Sequence, residues 1–298
     1  MHQYYGEIAA LCTAIFWTVT ALAFESASNK IGSLSLNIIR LGIGFVFLSI
    51  FNLFYRGIIF PSDASTENWL WLVLSGLVGF LFGDLFLFKS YTIIGSRFAM
   101  LIMTLVPPIT ALAGWIILGE KLTGMNYLGM CLTILGISLA IFNRNSGKSG
   151  FSLKFSYLGL LYAFLGAVGQ ALGLVLSKFG MKEYDPFAAT QIRIIAGFVG
   201  FAALITIVKR WRNVWDGLSH RKGMMSAGIG SFFGPFLGVS FSLLAVKHTQ
   251  TGIASTIMSI VPVLIIPPAI FLFKQKVSVL EIIGALISVI GVTLFFLV

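Results

Sequence analysis

Charge is what this sequence has least of. Lys, Arg, Asp and Glu together make up 10% of its 298 residues, against about 25% in an ordinary soluble domain. A water-soluble enzyme of this length would lack the polar surface to cover its core. Cysteine is scarce as well. Cys12 and Cys131 are the two present, too few for a disulfide scaffold. Both fall inside apolar runs, where a thiol behaves as a small hydrophobe. The three histidines, His2, His220 and His248, lie at ends or in connectors and show no metal-ligand spacing. There is no Gly-Lys-Ser/Thr phosphate loop, which argues against direct use of ATP. No Ser-His-Asp set falls within one predicted site. Neither a cofactor nor a metal is expected.

What is there is apolar: 58% of residues are hydrophobic and 14% aromatic, with a mean hydropathy of +0.98. Such a chain is not disordered, and its solvent must be lipid. A spanning helix needs about 20 apolar residues. That length selects ten candidate spans, at 5–24, 34–55, 69–91, 96–118, 124–142, 156–178, 187–208, 223–246, 250–273 and 279–298. Connectors are short, so neighbouring spans run antiparallel, and none is long enough for a soluble domain. The apolar run after Met1–Glu7 is too long for a signal-peptide core and lacks a clean cleavage site, so it is read as a retained first span.

The net charge is +10. In a soluble protein that excess would suggest nucleic acid. Here the basic residues sit in short connectors with no continuous basic face, so no nucleic-acid partner is expected and the lipid bilayer is. Thirteen of them fall in the odd-to-even connectors and at their span ends, including Lys209, Arg210, Arg212, Arg221 and Lys222 beside Trp211 and Trp215. Five fall on the opposite side: Arg56, Lys121, Lys178, Lys182 and Lys247. By the positive-inside rule the first set is cytoplasmic and both termini are outside.

The chain repeats itself. Residues 97–142 align with 252–297 without a gap, matching Ala99 with Ala254, Met103 with Met258, Pro107 with Pro262, Lys121 with Lys276, Gly129 with Gly284 and Gly136 with Gly291. Upstream, Gly6 meets Gly159, Arg40 meets Arg193 and Gly44 meets Gly197. Each half holds five spans, an odd number, so the second half enters the membrane from the opposite side. The expected fold is all-α and transmembrane: ten helices as two five-helix inverted repeats, 1–145 and 146–298. Such halves enclose a site near the midplane, where they meet.

With these residues in view, the chain resembles the drug/metabolite transporter superfamily, in particular its ten-helix EamA-type members. The resemblance runs through Gly83-Asp84-Leu85-Phe86 to Tyr91, then Ala99, Pro107 and Pro108, Gly119-Glu120-Lys121, Gly129 and Gly136. It is repeated in Ala254, Pro262, Gly284 and Gly291, and departs at Lys274-Gln275-Lys276, where the family has Gly-Glu-Lys/Arg. It implies a multi-pass protein of the plasma membrane, a prokaryotic inner membrane, that carries a small metabolite, often outward and often an amino acid or related solute. Relatives are drawn with both termini cytoplasmic, against the charge count, and the orientation stays open.

Asp84 is the acidic residue that lies well inside a predicted span. A carboxylate there costs about 2.5–3.5 kcal/mol on insertion scales and usually faces a cavity or a partner. It is read either as a proton-coupling or substrate-binding group, or as half of an ion pair with Lys89 or Arg40. Arg40 and Arg193 either contact a substrate anion or are structural, snorkelling to the interface or bridging helices. On the first span Thr13, Trp17, Thr20 and Phe24 share a face, and Gly166, Gln170, Gly173 and Ser177 are their counterparts on the sixth. Both faces read as cavity wall or as packing cement. Phe88 and Tyr91 are added from the third span. Met100, Met103 and Thr104 precede Pro107 and Pro108; Ser255, Met258 and Ser259 precede Pro262. Pro107 and Pro262 are candidate hinges, since proline frees a carbonyl one turn back. Glu120 and Lys121 read as a cap or interface pair.

The expected function is therefore a secondary transporter, not an enzyme, moving a small polar or amphipathic metabolite by alternating access, with proton coupling through Asp84 as one option. A translocase of lipid-linked substrates with the same fold is the first alternative. A membrane-embedded enzyme is the second; it would require more acids or histidines at one depth than Asp84 alone. The sequence leaves open whether the protein is a monomer or a homodimer.

Overall fold

The computed structural model describes residues 4–143, 156–264, 267–268 and 279–296. All of the regular structure among them is helical, with no β-strand. Backbone in hydrocarbon must satisfy its own hydrogen bonds, and a helix does so within one segment. Six stretches are long and apolar enough to cross a membrane: Tyr5–Ile31, Ser33–Arg56, Thr66–Leu87, Tyr157–Met181, Pro186–Ile207 and Arg221–His248. Shorter apolar helices occupy Val106–Leu118, Gly124–Leu139 and Ile282–Thr293. The protein is a multi-pass membrane protein.

In chain order the elements are α1 (Tyr5–Ile31), α2 (Ser33–Arg56), α3 (Thr66–Gly76), a first π-helical segment (Leu77–Gly83), α4 (Asp84–Met103), α5 (Val106–Leu118) and α6 (Gly124–Asn143). There follow α7 (Tyr157–Met181), α8 (Pro186–Ile207), α9 (Trp211–Ser219), α10 (Arg221–Ser231) and a second π segment (Phe232–Gly238). The chain continues with α11 (Val239–His248), α12 (Thr251–Met258), α13 (Val261–Leu264) and α14 (Val279–Thr293).

Local chemistry sets the ends. Gly32 alone joins α1 to α2, with φ +78°, a left-handed value that a β-carbon would strain. Ser65 caps α3: its hydroxyl accepts from the Asn68 amide at 3.1 Å, and Asn68 Oδ1 accepts from the Ser65 amide at 3.1 Å, a reciprocal capping box. Asp185 caps α8 by accepting from the Phe187 and Ala188 amides at 3.0 and 2.9 Å, with Pro186 at the first helical position.

Two expectations need correction. Spans 69–91 and 96–118 were to be separated near residue 92. Instead α4 runs through to Met103, and the helix breaks at Thr104–Leu105. Gly95 and Ser96 look like a turn in sequence, but Pro107 and Pro108 lack amide donors and force the restart there. Span 250–273 is interrupted at Ser259–Ile260, one turn before Pro262 as the proline implies, and its end lies outside the described residues. The basic stretch 209–222 is not a plain loop: α9 folds within it and buries Val214 and Gly217 against α2, where a β-carbon on Gly217 would lie 3.6 Å from Ser35.

The helix pattern recurs at one spacing. The π segments start at Leu77 and Phe232, and α4 and α11 start at Asp84 and Val239, each pair 155 positions apart. The second π segment contains Pro235; the first has Phe80 at the matching place, so proline is not what makes it.

Contacts between matching elements are reciprocal. A β-carbon on Gly129 would fall 2.9 Å from the Gly291 carbonyl, and one on Gly136 would fall 2.5 Å from the Gly284 carbonyl. Thus α6 and α14 lie antiparallel, with each glycine against the counterpart of the other. In the same way α7 packs antiparallel along α3, the first π segment and α4, while α1 packs antiparallel along α10, the second π segment and α11. Gly180 meets Trp71, Gly173 meets Gly79 and Gly169 meets Gly83. Phe24 meets Gly230, Thr20 meets Gly234 and Trp17 meets Gly238.

Candidate functional site

Asp84 is the first residue of α4, set at the end of the π segment and 6% exposed. A π segment adds residues to a turn and often marks a functional position. Three other elements bring polar groups to it. From α2, the Arg40 guanidinium forms an ion pair with Asp84 Oδ2. From α7, Gln170 Nε2 donates to Asp84 Oδ1 at 2.7 Å and to the Gly79 carbonyl at 3.3 Å. From α8, Arg193 lies in the electrostatic field of Asp84.

Glycine makes this convergence possible. A β-carbon on Gly83 would fall 3.2 Å from the Gln170 amide nitrogen, and one on Gly79 would fall 3.2 Å from Arg193 Nη2. Arg40 Nε donates to Asn37 Oδ1 at 2.9 Å, and its guanidinium carbon lies 5.7 Å from the centre of the Phe24 ring. The Arg193 guanidinium carbon lies 4.9 Å from the centre of the Phe80 ring. Arg40 is 8% and Arg193 5% exposed, so neither snorkels to the surface. Burying charges carries a large desolvation penalty, offset only by good geometry and further hydrogen bonds; Gln170 and Asn37 supply those bonds.

The remaining candidates are placed elsewhere. Trp17 packs on Gly238, and Thr20 packs on Gly234 while donating to the Phe16 carbonyl at 2.8 Å. Ser177 is buried and exchanges a 2.7 Å hydrogen bond with Ser75. Met103 packs against the cluster of Leu87, Ala99 and Ala163, and Met258 sits in the largest apolar cluster. Thr104 is buried at the α4–α5 break, and Pro107 is buried in the first turn of α5. Ser255 donates to the Gly252 carbonyl at 3.1 Å and Ser259 to the Thr256 carbonyl at 2.7 Å. The side chains of Phe88, Tyr91, Met100 and Pro262 lie outside the described residues. Gln170 alone of the non-ionic candidates touches Asp84 in a described contact.

A second polar region lies at the end of the molecule where α1 begins and α7 stops. Lys178 Nζ donates to Glu120 Oε1 and to the Thr249 carbonyl, both at 2.7 Å. Glu120 Oε2 accepts from the Thr251 amide at 2.8 Å and its hydroxyl at 2.6 Å, capping α12 from a distant element. Glu7 accepts from the Thr249 hydroxyl at 2.6 Å. Lys182 pairs with Glu67 at 2.7 Å, Arg56 pairs with Asp63, and Tyr184 donates to Asp63 at 2.9 Å. Burial pushes the Tyr184 hydroxyl up to about 12. A cleft of about 430 Å³, lined by residues including Glu120, Lys178, Lys182 and Lys247, opens here. Sequence reasoning saw Glu120 as an end-of-helix charge and did not single out Glu7, Thr249 or Thr251. Polar residues at the ends of apolar runs were the available signal, but pairing across 58 and 131 positions has no local signature. The buried amide pair Asn52–Gln191, at 2.8 Å, was missed for the same reason. Among the described residues no group of three or more His, Cys, Asp or Glu could hold a metal ion.

The chain is similar to known proteins. A family model described as the EamA-like transporter family matches residues 4–142 and again 157–297. A Synechocystis protein named Uncharacterized transporter sll0355 is 25% identical over 252 residues, covering 78% of this chain and 73% of its own. Uncharacterized transporter YyaM of Bacillus subtilis is 25% identical over 261 residues, covering 85% and 81%. One solved crystal structure superposes with a TM-score of 0.78 at 18% identity, covering 98% of this chain and 96% of the other, a likeness of fold.

Proposed function

The chain belongs to the EamA-like transporter family, and from that premise we propose that it is a secondary carrier built as two inverted five-helix repeats, 1–145 and 146–298. It moves a small polar or amphipathic metabolite, an amino acid or related solute, by alternating access. The observation that carries this reading is the reciprocity of the contacts. Gly129 meets Gly291 while Gly136 meets Gly284, and Gln170 meets Gly83 while Trp17 meets Gly238. Partners exchanged antiparallel in this way are what a two-fold axis in the membrane plane produces. Two halves so related can trade conformations, giving outward-open and inward-open states of similar energy.

The ion pairs from Glu120 to Lys178 and from Lys182 to Glu67 tie residues of the two halves together at the end where the cleft opens. The paired breaks at Thr104–Leu105 and Ser259–Ile260, each followed by proline, are the hinges of the exchange. Within the candidate set, Arg40, Asp84, Gln170 and Arg193 form the central site. Trp17, Thr20, Thr104, Ser177, Ser255, Ser259, Met103 and Met258 are proposed to line the path as the halves move. Asp84, released from Arg40 in another state, is the proton-coupling group.

Flux tests the reading. Purified protein in proteoliposomes should move a member of a pooled panel of labelled amino acids, sugars and short-chain acids with saturation. Gln170→Leu should abolish that flux, and Asp84→Asn should flatten its pH dependence. If no solute moves saturably, or both variants behave as wild type, the carrier reading is wrong. Movement of amphiphilic lipids alone would transfer the fold to translocation.

A further inference from the structure

Among the described residues, the buried charges at the centre do not balance. Two guanidiniums share one carboxylate, and that carboxylate is already engaged: Oδ2 with Arg40, Oδ1 with the Gln170 amide. Arg193 is the one left over. It is 5% exposed, and its Nε has no hydrogen-bond partner. Phe80 covers one face of the guanidinium with the ring centre 4.9 Å away, and Nη2 approaches Gly79 so closely that a β-carbon there would lie 3.2 Å from it. Ring contact and the field of Asp84 ease its burial, but neither fills its donors. A guanidinium presents five donors in a planar fork that matches a carboxylate bidentately. With Phe80 on its face, the donor left for a ligand is the in-plane Nε–H.

We propose that Arg193 is the anion-reading group of the central site, and that the transported solute brings one carboxylate to it. The inference rests on the carrier reading above and narrows it. Among the described residues at the centre, two buried cations stand against one buried anion, a balance that a monoanion at Arg193 would complete. A phosphate dianion would overshoot, and a neutral solute would leave the guanidinium bare. The same carboxylate chemistry can come from an amino acid or from a plain monocarboxylic acid. In this state Arg40 and Gln170 already engage both Asp84 oxygens, so an ammonium group gains little there, and the plain acid binds at least as well as its amino acid.

The test uses the full chain in lipid nanodiscs, read by thermal stability. The ligands are free amino acids, their deaminated acids and the primary amide of each, with inorganic phosphate and D-ribose for comparison. At least one carboxylate should raise the melting temperature saturably. Its amide should bind at least about tenfold more weakly, the scale of a lost charge-assisted hydrogen bond. Arg193→Gln should erase the acid-over-amide preference, and Arg193→Lys should keep part of it. The proposal is overturned if no carboxylate binds, if acid and amide bind alike, if only phosphate or ribose binds, or if folded Arg193→Gln keeps the preference. Should Arg193→Gln fail to fold, the wild-type acid-against-amide comparison and Arg193→Lys decide. Flux of the same panel separates this idea from its premise: saturable flux of neutral solutes alone sinks the anion site and leaves the carrier, whereas carboxylate binding without any flux sinks the carrier and leaves the site.

Discussion

The crossings of α7 and α1 occupy matching places in the two halves, yet they are built oppositely. Where α7 crosses the first π segment, backbone meets backbone: a β-carbon on Gly173 would lie 2.7 Å from the Gly79 Cα, and one on Gly169 2.6 Å from the Gly83 Cα. Hydrogen bonds fasten it, with Ser75 to Ser177 at 2.7 Å and Gln170 to Asp84 at 2.7 Å. Where α1 crosses the second π segment, large side chains fill the glycine notches. Phe24, Trp17 and Thr20 sit against Gly230, Gly238 and Gly234, and Val239 stands where Asp84 stands in the other half. One crossing is close and polar, the other wider and aromatic. The same backbone plan therefore tolerates two chemistries, and only one of them holds the buried ions.

The largest effect should come from removing the acid that distinguishes the two. Asp84→Ala leaves two guanidiniums buried around no carboxylate and should cost about 3–5 kcal/mol, read by unfolding in detergent micelles. Val239→Ala, its counterpart, should cost no more than about 2 kcal/mol. Equal losses would mean that the ionic centre has no special place in stability.

Adding a methyl group sharpens the contrast further. Gly173→Ala and Gly238→Ala should each destabilise by about 1–3 kcal/mol through overpacking. The second should be rescued in part by Trp17→Leu, because its nearest obstacle is the Trp17 ring, with the Phe233 carbonyl behind it. The first has no such rescue, because its obstacle is the backbone of Gly79. Thermal melts of the double variants check this, and rescue of both would contradict the difference in spacing. A smaller loss, about 1 kcal/mol, is expected for Ser177→Val, which deletes a buried hydrogen bond that the α1 crossing does not have at the matching Phe24.

The smallest effect lies outside the membrane-spanning helices. Tyr184 titrates near 12 in the folded protein because it is partly buried, above about 10 in an unfolded chain. Its raised value favours the neutral hydroxyl, so its contribution is complete below about pH 10 and is lost as pH rises toward about 12. Tyr184→Phe should flatten the alkaline stability profile over that window, measured by melting temperature against pH.

The apolar runs could be read from sequence because lipid leaves little choice: long uncharged segments must be helical. The continuity of α4 across 92–95 could not, because Gly95-Ser96 mimics a turn, whereas the break before Pro107-Pro108 was marked by the prolines. The helix at Trp211–Ser219 was hidden because it is short, sits among the basic residues that flank it, and buries only Val214 and Gly217. At the site, Asp84 stood out as an acid inside a span, with Arg40 as one of two possible partners. The arrival of Gln170 and Arg193 beside it depends on how α7 and α8 pack across 86 positions or more, which no spacing along the chain encodes.

Gly32 has a mechanical meaning. A single residue, fixed at φ +78°, couples the helix that bears Trp17 to the helix that bears Arg40, so the two move as arms of one crank with almost no slack at the elbow. Whatever tilts the tryptophan arm must pull on the guanidinium that grips Asp84.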